Sequence, residues 1–338
     1  MSTTIKDIAK KSGLSIPTVS QVLNGTGRIS AATRAKVLRV ARELGYRPNS
    51  AARSMRSGRF GNVALLLPER GFYLPQHLLF GISNELATHG LTLSLATLPV
   101  QTLSTPDDLP RLLTELSTDG LLIDHIAPLG AAALELIRNV STPAVWINNK
   151  MDADCVFPDD VDAGRRAATH LVEFGHERIA YVHPTGSNHY SVADRRRGYE
   201  QSMKSASLKP RVVALPRQDS QPADRRLEAA RKILRRADRP TAVFCYGMHE
   251  ALPMLTAALA QSLRVPDDLS IVACHERVVN DAGVAITTMR HAWAAVGAQA
   301  VQTLMRKIER PDESLPPAAI KFELVEGASC SAPPGNAR

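Results

Sequence analysis

Residues 4–25 read TIKDIAKKSGLSIPTVSQVLNG, and this stretch decides the fold of the first part of the chain. Thr4 is suited to cap a short helix, which Gly13 ends. Ser15 is suited to cap a second helix that has Pro17 in its first turn. Apolar residues recur at i, i+3 and i+4 in both helices, which predicts one buried face in each. The predicted buried residues are Ile5, Ile8, Ala9, Val19, Val22 and Leu23. The second helix leaves four residues to face a partner, namely Ile16, Pro17, Ser20 and Gln21.

A third helix follows, which Ser30 caps and Gly45 ends. Its predicted inward residues are Val37, Leu38, Ala41 and Leu44. Its predicted outward basic residues are Arg34, Lys36, Arg39 and Arg42. Two helices joined by a glycine-containing turn, with a third in support, are typical of the helix-turn-helix, whose second helix enters the DNA major groove. A generic three-helix interaction module is the alternative that this pattern leaves open.

The excess positive charge of the chain lies in the same region. Residues 1–59 contain 12 Lys and Arg residues but only two acidic residues, a net charge of +10. The rest of the chain holds 29 basic and 31 acidic residues. A basic head on a near-neutral body is typical of a nucleic-acid-binding domain attached to another module. A solvated basic tail is disfavoured because the head is patterned for folding.

The segment that follows the third helix reads YRPN over residues 46–49 and continues as a basic stretch to Arg59. Asn49 is suited to cap a helix of two turns, which is too short to persist alone in water. Met55 lies in it between Arg53 and Arg56. Such a helix suits folding on DNA, with an apolar wedge between base steps and arginines in the minor groove. A flexible basic linker is the alternative.

From Phe60 onward, short apolar runs alternate with helical patterns, which predicts parallel sheets covered on both faces. The predicted strands are 63–67, 92–96, 120–123, 144–147, 179–182, 211–214, 242–245, 270–274 and 321–324. Predicted helices include 77–89, 163–174 and 225–237. The fold class is therefore α/β behind an all-α head.

Length and composition agree with a multidomain globular protein. A chain of 338 residues, 44% hydrophobic and 22% charged, predicts two or three domains. No apolar run is long enough to span a membrane, and the polar residues 1–11 lack the apolar core of an export signal, so a cytoplasmic protein is predicted. Four scattered cysteines indicate reduced thiols. They are Cys155, Cys245, Cys274 and Cys330.

Several motifs together resemble one family. TIKDIA (4–9), TVS (18–20), VLNG (22–25), ELGYRPN (43–49) and ARSMR (52–56) are similar to the lactose-repressor (LacI/GalR) family of bacterial transcription regulators. The resemblance extends through FGHERIA (174–180), Arg195 and VPDDLS (265–270) and covers about residues 3–328. Two departures concern DNA choice, because Gln21 stands where the family often has Arg, and Met55 where it usually has the wedging Leu.

The resemblance implies a helix-turn-helix domain over 1–46, a hinge helix over 47–59 and an effector-binding and dimerisation domain over 60–327. That domain would consist of two Rossmann-like lobes of the periplasmic-binding-protein type, an N-lobe of about 60–161 and 289–320 and a C-lobe of about 162–288 and 321–327. The chain would cross between the lobes near residues 162, 288 and 321. Residues 328–338 are predicted to be a flexible tail.

The implied function is that of a homodimeric regulator, most readily a repressor, which binds a pseudo-palindromic operator in double-stranded DNA and responds to a small-molecule effector. The predicted DNA-binding residues are Thr4, Ser15, Ile16, Pro17, Thr18, Gln21, Asn24, Ser30, Thr33, Tyr46, Asn49, Arg53, Met55 and Arg56. An activator or a regulator with a non-sugar effector remains an alternative. No cofactor, metal or membrane partner is predicted.

The effector is expected beyond the carboxyl ends of the strands, between the lobes. The predicted effector residues are Arg195, His275, Trp293, Asn148, His125, Gly247 and Tyr73, with Asp124, His183, His249 and Glu276 as further candidates. Arg195 matches the family's effector-binding Arg, although a solvated position in the run 195–197 is its alternative. Trp293 is predicted either to pack on the ligand or to lie in the core. Because His275 and Asn148 stand where the family often has Asp, we hypothesise an anionic or phosphorylated effector over a neutral sugar.

Two other classes of function are weighed against this one. An α/β enzyme is disfavoured because no GxGxxG follows the first strand and neither GxxxxGK[ST] nor GxSxG occurs. An exported solute receptor would have no use for the basic head. A metal or redox cluster of Cys245, Cys274, His249 and His275 is disfavoured because no ligand spacing appears, and buried structural thiols are expected instead.

Overall fold

The computed structural model describes residues 3–46, 59–68, 74–98, 117–124, 135, 137, 141–217, 223–280 and 283–335. The chain forms two compact units, Met1–Gly61 and Asn62–Arg338.

The first unit contains α1 (Ile5–Ser12), α2 (Ile16–Leu23) and α3 (Ala31–Glu43), which confirms the three predicted helices. The predicted caps are also present. The Ser15 and Ser30 hydroxyl oxygens accept hydrogen bonds from the backbone N–H three residues on, at 3.3 and 3.2 Å. Gly13 adopts φ = 66°, a conformation that favours glycine and ends α1.

One predicted core position in α3 is wrong. Leu38 is 41% exposed, whereas Val40 is 3% exposed and lies in the core with Val37 and Ala41. Residues 37, 40 and 41 follow the i, i+3, i+4 spacing of one helix face, and position 38 points about 100° away from residue 37. The small core of the head therefore forms from short aliphatic side chains.

The second unit contains two mostly parallel sheets, one in each lobe. The sheet of the first lobe has the order β11-β5-β4-β3-β1-β2 and that of the second lobe has the order β12-β10-β9-β8-β6-β7, among the described residues. The strands of the first sheet are β1 (Asn62–Pro68), β2 (Thr92–Leu98), β3 (Gly120–Asp124), β4 (Ala144–Ile147), β5 (Cys155–Pro158) and β11 (Ala318–Ile320). Those of the second are β6 (Ile179–Pro184), β7 (Arg211–Leu215), β8 (Ala242–Cys245), β9 (Ser270–His275), β10 (Thr287–Arg290) and β12 (Glu323–Val325).

Helices cover both sheets, as the alternating pattern predicted. They are α4 (Gln76–Thr88), α5 (Asp160–Glu173), α6 (Tyr190–Ser205), α7 (Ala223–Leu234), α8 (Met248–Leu259) and α9 (Trp293–Glu309). No helix in the described ranges has both the length and the apolar character needed to cross a bilayer.

The chain passes between the two sheets at three places, which we call the crossovers. They lie between β5 and α5, between β10 and α9, and between β11 and β12. The prediction of one strand over 321–324 is wrong, because the chain leaves the first sheet after Ile320 and enters the second at Glu323. The strands on either side of this crossover have only three residues each, which is too short for a periodic pattern to reveal.

The predicted flexible tail is wrong for its first residues. Ser329 is fully buried, and its hydroxyl accepts a hydrogen bond from the Thr287 N–H at 2.8 Å. The Ile271 N–H donates to the Ser329 carbonyl, also at 2.8 Å. Residues 328–331 therefore lie along β9, because this segment satisfies backbone groups of the second sheet that would otherwise lack partners.

Helices α5 and α6 approach each other closely through two glycines. A Cβ atom on Gly164 would lie 2.1 Å from the Arg195 carbonyl oxygen, and one on Gly198 would lie 1.9 Å from the Val161 carbonyl oxygen. No side chain fits at either contact. This approach sets the position of Arg195 relative to the start of α5.

We expect Gly198→Ala to lower the free energy of unfolding by roughly 1–3 kcal/mol or more, because the added methyl group forces α5 and α6 apart. Urea denaturation followed by circular dichroism measures the change. Lys204→Ala, an exposed change on the same helix, should stay within about 0.5 kcal/mol of the parent. Equal stability of Gly198→Ala and the parent would contradict the tight helix contact.

Candidate functional site

The head presents one face of α2 to solvent. Ile16 is 47% exposed, and Pro17, Gln21 and Asn24 are exposed beside it. Val19 and Val22 of the same helix are buried. Three of the four side chains predicted to face a partner, Ile16, Pro17 and Gln21, are therefore exposed, whereas Ser20 is half-buried. Together with Asn24, another predicted DNA-binding residue, these three form a surface that we call the reading face (Ile16, Pro17, Gln21 and Asn24).

The serine and threonine residues among the predicted DNA-binding residues of the helical head lie at helix N-termini. The Thr4 hydroxyl donates to the Asp7 carboxylate at 2.7 Å, and the Ser30 hydroxyl donates to Thr33 Oγ1 at 2.9 Å. Ser15 Oγ and Thr18 Oγ1 are 2.8 Å apart. These groups cap helices, and the helix N-termini that they mark are suited to bind anions. Tyr46 packs against the core of the head, and Asn49, Arg53, Met55 and Arg56 lie outside the described residues.

A cavity of about 200 Å³ lies between the two lobes, and we call it the inner pocket. Its walls come from the turns after β4, β5, β8 and β10 and from the start of α6, which is the carboxyl edge of the sheets. It brings together three predicted residues, Asn148, Arg195 and Trp293. Its lining is Asn148, Pro158, Asp160, Ser187, His189, Ser191, Arg195, Tyr246, His291 and Trp293.

Arg195 is buried in the wall of the inner pocket, 5% exposed, and is not part of a solvated run. Its Nε donates to Asp160 Oδ1 at 2.7 Å, and its Nη1 donates to the Tyr246 carbonyl. Its Nη2 lies 3.0 Å from His291 Nε2. The Tyr246 ring covers the guanidinium, with 4.3 Å between Cζ and the ring centroid. The protein itself therefore uses three of the five N–H groups of Arg195.

The charge of Arg195 is compensated within the protein. Burial raises the pKa of Asp160, and the guanidinium opposes that rise by favouring the carboxylate. The pKa of His291 is lowered well below its usual value, by burial first and by the charge of Arg195 second. Neutral His291 can accept a hydrogen bond from Arg195 at Nε2. The hypothesis of an anionic effector thus loses its main support, because no uncompensated cation faces the pocket among the lining residues.

Arg195 also contacts all three crossovers. Asp160 follows the first, His291 lies in the second and Phe322 lies in the third, with its ring centroid 5.5 Å from Arg195 Cζ. The His291 and Phe322 rings are themselves 4.5 Å apart. One side chain therefore joins the pocket wall to each place where the chain changes lobe.

Trp293 lies in the core, one of its two predicted positions, and it also forms part of the pocket wall. It is 8% exposed and packs in the first lobe. Its ring stacks on His291, with centroids 5.2 Å apart and planes within 3° of parallel. The pair gives the pocket a flat aromatic wall.

Two more of the predicted residues line a second cavity instead of the inner pocket. Gly247 and His249 line a larger outer cavity of about 670 Å³ with Arg217 and Glu250, on the other side of Tyr246. Burial raises the pKa of Glu250 to about 7, and the nearby charge of Arg226 opposes part of that rise.

Four more candidates lie near the sheet edges without lining the inner pocket. Asp124 is 3% exposed at the end of β3, and burial raises its pKa to about 7. His183 stacks on Tyr181. His275, followed by Glu276, ends β9, and its carbonyl accepts from the His291 N–H at 2.9 Å. His125 and Tyr73 lie outside the described residues.

Sequence reasoning missed six residues of the inner pocket. These six are Pro158, Asp160, Ser187, His189, Ser191 and Tyr246, from the end of β5, the turns after β6 and β8 and the starts of α5 and α6. His291, which follows β10, was missed as well, so seven of the ten lining residues were not predicted. Tyr246 directly follows a predicted strand, so the rule that ligands bind beyond strand ends was enough to find it. His291 follows β10 and Pro158 ends β5, and neither strand was predicted.

The thiols show no sign of a metal site in the described ranges. All four cysteines are free, and no group of three or more His, Cys, Asp or Glu side chains there could hold a metal ion. Burial raises the pKa of Cys274 to about 12.

The comparisons with known proteins agree with this architecture. Residues 4–49 match the family described as bacterial regulatory proteins, lacI family, and residues 168–330 match the periplasmic binding protein-like domain. The chain is 31% identical over 321 residues to the HTH-type transcriptional regulator DegA of Bacillus subtilis, covering 90% of this chain and 91% of that protein. It is 29% identical to the ribose operon repressor of Haemophilus influenzae, with 92% and 93% covered.

Among solved structures, the lac repressor dimer bound to operator and the anti-inducer ONPF aligns with a TM-score of 0.79. It covers 98% of this chain and 100% of that chain at 21% identity, which shows the shared fold. A helix-turn-helix head on a two-lobed receptor body defines a class of DNA-binding transcription regulators. The chain belongs to the LacI family within that class. The relatives named above are transcription regulators, not enzymes.

We expect Arg195→Met to lower the free energy of unfolding by about 3–5 kcal/mol, because it leaves the Asp160 carboxylate buried without its partner. The double variant with Asp160→Asn should recover a large part of that loss. Urea denaturation of the parent, both single variants and the double variant gives the coupling energy. Additive losses would show that the two side chains do not depend on each other.

The stability of the protein should depend on His189 in mildly acidic solution. Burial lowers the pKa of His189 to about 4 from its ordinary 6.5. The unfolded chain therefore binds this proton first as the pH falls, so stability is lost between about pH 6.5 and 4. We expect a loss of about 1–2 kcal/mol, less than the full pKa difference gives because the ring is only half-buried.

Urea denaturation across this pH range should show a shallower loss in His189→Gln than in the parent. His77→Gln, which changes an exposed histidine, serves as the matched control. A parent and a His189→Gln variant with parallel pH profiles would refute the assignment.

Proposed function

We propose that this chain is a ligand-responsive repressor that binds a pseudo-palindromic operator in bacterial DNA as a homodimer. In each copy α2 enters the major groove, and the hinge predicted over 47–59, of which residues 47–58 lie outside the described residues, is assigned to the minor groove. The domain limits given by the sequence, with a head over 1–46 and a receptor body over 60–327, are part of this proposal. Because its partner is the chromosome, we place the protein in the cytoplasm.

The reading face carries this proposal. Ile16, 47% exposed on a two-turn helix, lies beside Gln21 and Asn24, so an aliphatic side chain and two amide side chains face outward together. Gln and Asn side chains recognise adenine, and an aliphatic side chain contacts the thymine methyl group. The net charge of +10 on the head supplies the attraction to phosphate.

Dimerisation is supported by apolar residues exposed on one side of the first lobe. Phe80 of α4 is 49% exposed, and Leu95 of the edge strand β2 is 52% exposed. Exposed apolar residues on a helix and an adjacent edge strand are typical of a surface that pairs with another chain. The lac repressor structure, which shares this fold, is a dimer.

For the effector, we propose a small uncharged polar molecule with a ring, in the inner pocket. The charges of the lining are paired, and hydroxyl, amide and neutral imidazole groups remain as hydrogen-bonding partners. The Trp293–His291 stack offers a flat wall to one face of a ring. A volume of about 200 Å³ suits a molecule of the size of a monosaccharide.

The operator-binding proposal predicts a specific effect of Gln21→Ala. An operator selected from genomic DNA by the purified chain is the probe, and fluorescence anisotropy measures affinity. We expect about 10-fold or greater weakening on the operator, because a side chain that contacts bases is lost, and little change on unrelated DNA. Gln201→Ala, the same change on the receptor body, is the control. Equal weakening on both DNAs would contradict base contact by Gln21.

The effector proposal predicts the outcome of a thermal-shift screen of the full chain. Neutral sugars and related uncharged ring compounds should include a ligand that raises Tm, by mass action on the folded state. Their phosphorylated and carboxylate forms should raise it less. Stabilisation by phosphates or acids alone would overturn the proposed effector class and restore the anionic hypothesis.

A further inference from the structure

A chain of hydrogen bonds crosses from the second lobe to the first along the wall of the inner pocket. Tyr246 Oη lies 2.8 Å from Ser191 Oγ, and Ser191 Oγ lies 2.6 Å from His189 Nδ1. His189 Nε2 lies 3.3 Å from the Asn148 carbonyl oxygen. Tyr246 follows β8, while His189 and Ser191 lie at the start of α6, all in the second lobe. Asn148 follows β4 in the first lobe.

The direction of each hydrogen bond in this chain follows from its last acceptor. A carbonyl oxygen only accepts, so His189 donates from Nε2. The neutral ring then has a lone pair at Nδ1, which accepts from the Ser191 hydroxyl. Ser191 has used its proton, so the Tyr246 hydroxyl donates to Ser191 Oγ. Ser191 and His189 thus each have one defined partner on either side. Loss of the Tyr246 hydroxyl leaves Ser191 Oγ without its donor in this chain, and loss of the Ser191 hydroxyl does the same to His189 Nδ1.

Asn148 is held from the second lobe at its side chain as well. The Tyr190 hydroxyl donates to Asn148 Oδ1 at 3.3 Å. Asn148 has φ = 55°, a left-handed conformation that Asn tolerates better than most residues. This backbone turn is the point at which α6 of the second lobe meets the end of β4.

An ion pair flanks the same contact. Lys150 of the first lobe pairs with Asp194 of α6 in the second. The Lys150 ammonium also lies over the Phe157 and Tyr190 rings, 5.0 and 5.3 Å from their centroids. The contact between Asn148 to Lys150 and the start of α6 is therefore continuous, and the pocket opens beside it.

We propose that Tyr246 is a positioning residue of the effector site, whose hydroxyl, through Ser191 and His189, holds Asn148 and stabilises the contact between the two lobes. The proposal rests on the function proposed above, since it makes pocket occupancy a cause of lobe movement. Tyr246 lines both the inner and the outer cavity, so a bound molecule reaches it directly. An effector group that accepts a hydrogen bond from the Tyr246 hydroxyl competes with Ser191 and so weakens the hydrogen-bond chain that ends at Asn148.

Hydrogen exchange followed by mass spectrometry tests the proposal on the full ligand-free chain. Tyr246→Phe removes the hydroxyl and keeps the ring over Arg195. Ser191→Ala breaks the chain at its middle. The decisive readout is the first-lobe segment 144–158, which belongs to a different sheet from both substitutions. We expect its exchange to rise at least about threefold in both variants, because local opening of the lobes exposes it.

Two substitutions serve as matched controls. Ser202→Ala removes a buried hydroxyl of the same helix, whose 2.9 Å contact with Thr169 stays within the second lobe. Tyr199→Phe removes a buried tyrosine hydroxyl that donates to the Ile179 carbonyl. Both should leave exchange of 144–158 unchanged. A thermal-unfolding measurement confirms that each variant is folded, and Ser191→Ala decides the question if Tyr246→Phe does not fold.

Unchanged exchange of 144–158 in both folded variants would overturn the proposal. Faster exchange confined to α6 would also overturn it, because it would show a structural role only. An equal rise in the exchange of 144–158 in the two control variants would overturn it as well. Operator affinity of the parent is measured separately. If the parent does not bind an operator, the proposed function is wrong. The exchange result, in contrast, tests only the contact between the lobes.

Discussion

The buried guanidinium of Arg195 is the constraint on which the receptor body depends. A cation removed from water needs compensation, and here the compensation comes from Asp160, the Tyr246 carbonyl and His291. Asp160 and His291 stand at two of the crossovers, and the Phe322 ring at the third also contacts Arg195. One buried charge therefore links the three places where the chain changes lobe.

The surroundings of Arg195 are built to allow this arrangement. Gly164 and Gly198 let α5 and α6 approach until their backbones touch, which places Arg195 beside the first residue of α5. The pocket that results is polar but has no unpaired lining charge among the described residues. Recognition there depends on the direction of hydrogen bonds and on the Trp293–His291 stack, both of which are sensitive to the angle between the lobes.

Much of the fold was predictable because its signals are local. Ser15 and Ser30 indicate where α2 and α3 begin, because serine is a favoured N-cap residue. Buried strands such as β1 and β3 are recognisable as continuous apolar runs. Leu38 was wrongly assigned to the core because it is apolar and directly follows Val37, which belongs to the buried face of α3. The four-residue strands β4 and β8 were predicted because they are apolar throughout. The strands β5, β10 and β11 were missed because β5 ends in proline, β10 contains polar residues and β11 has only three residues.

The candidate site was predictable only in part for a related reason. Arg195 was found through its resemblance to a family position, yet its partner Asp160 lies 35 positions earlier, and nothing in the spacing links the two. His291 is joined to Arg195 across 96 positions. Contacts at that separation depend on how the sheets pack. The sequence therefore indicated a cationic pocket, whereas the structure compensates the charge.

The most direct test of the account is reciprocity between pocket and operator in the full chain. Operator affinity is measured with and without the ligand that most raises Tm, and the affinity of that ligand is measured with and without operator. If pocket occupancy and DNA binding are linked through the lobes, each should change the affinity of the other by the same factor, about 5- to 150-fold. Operator affinity that stays constant at saturating ligand would contradict the account.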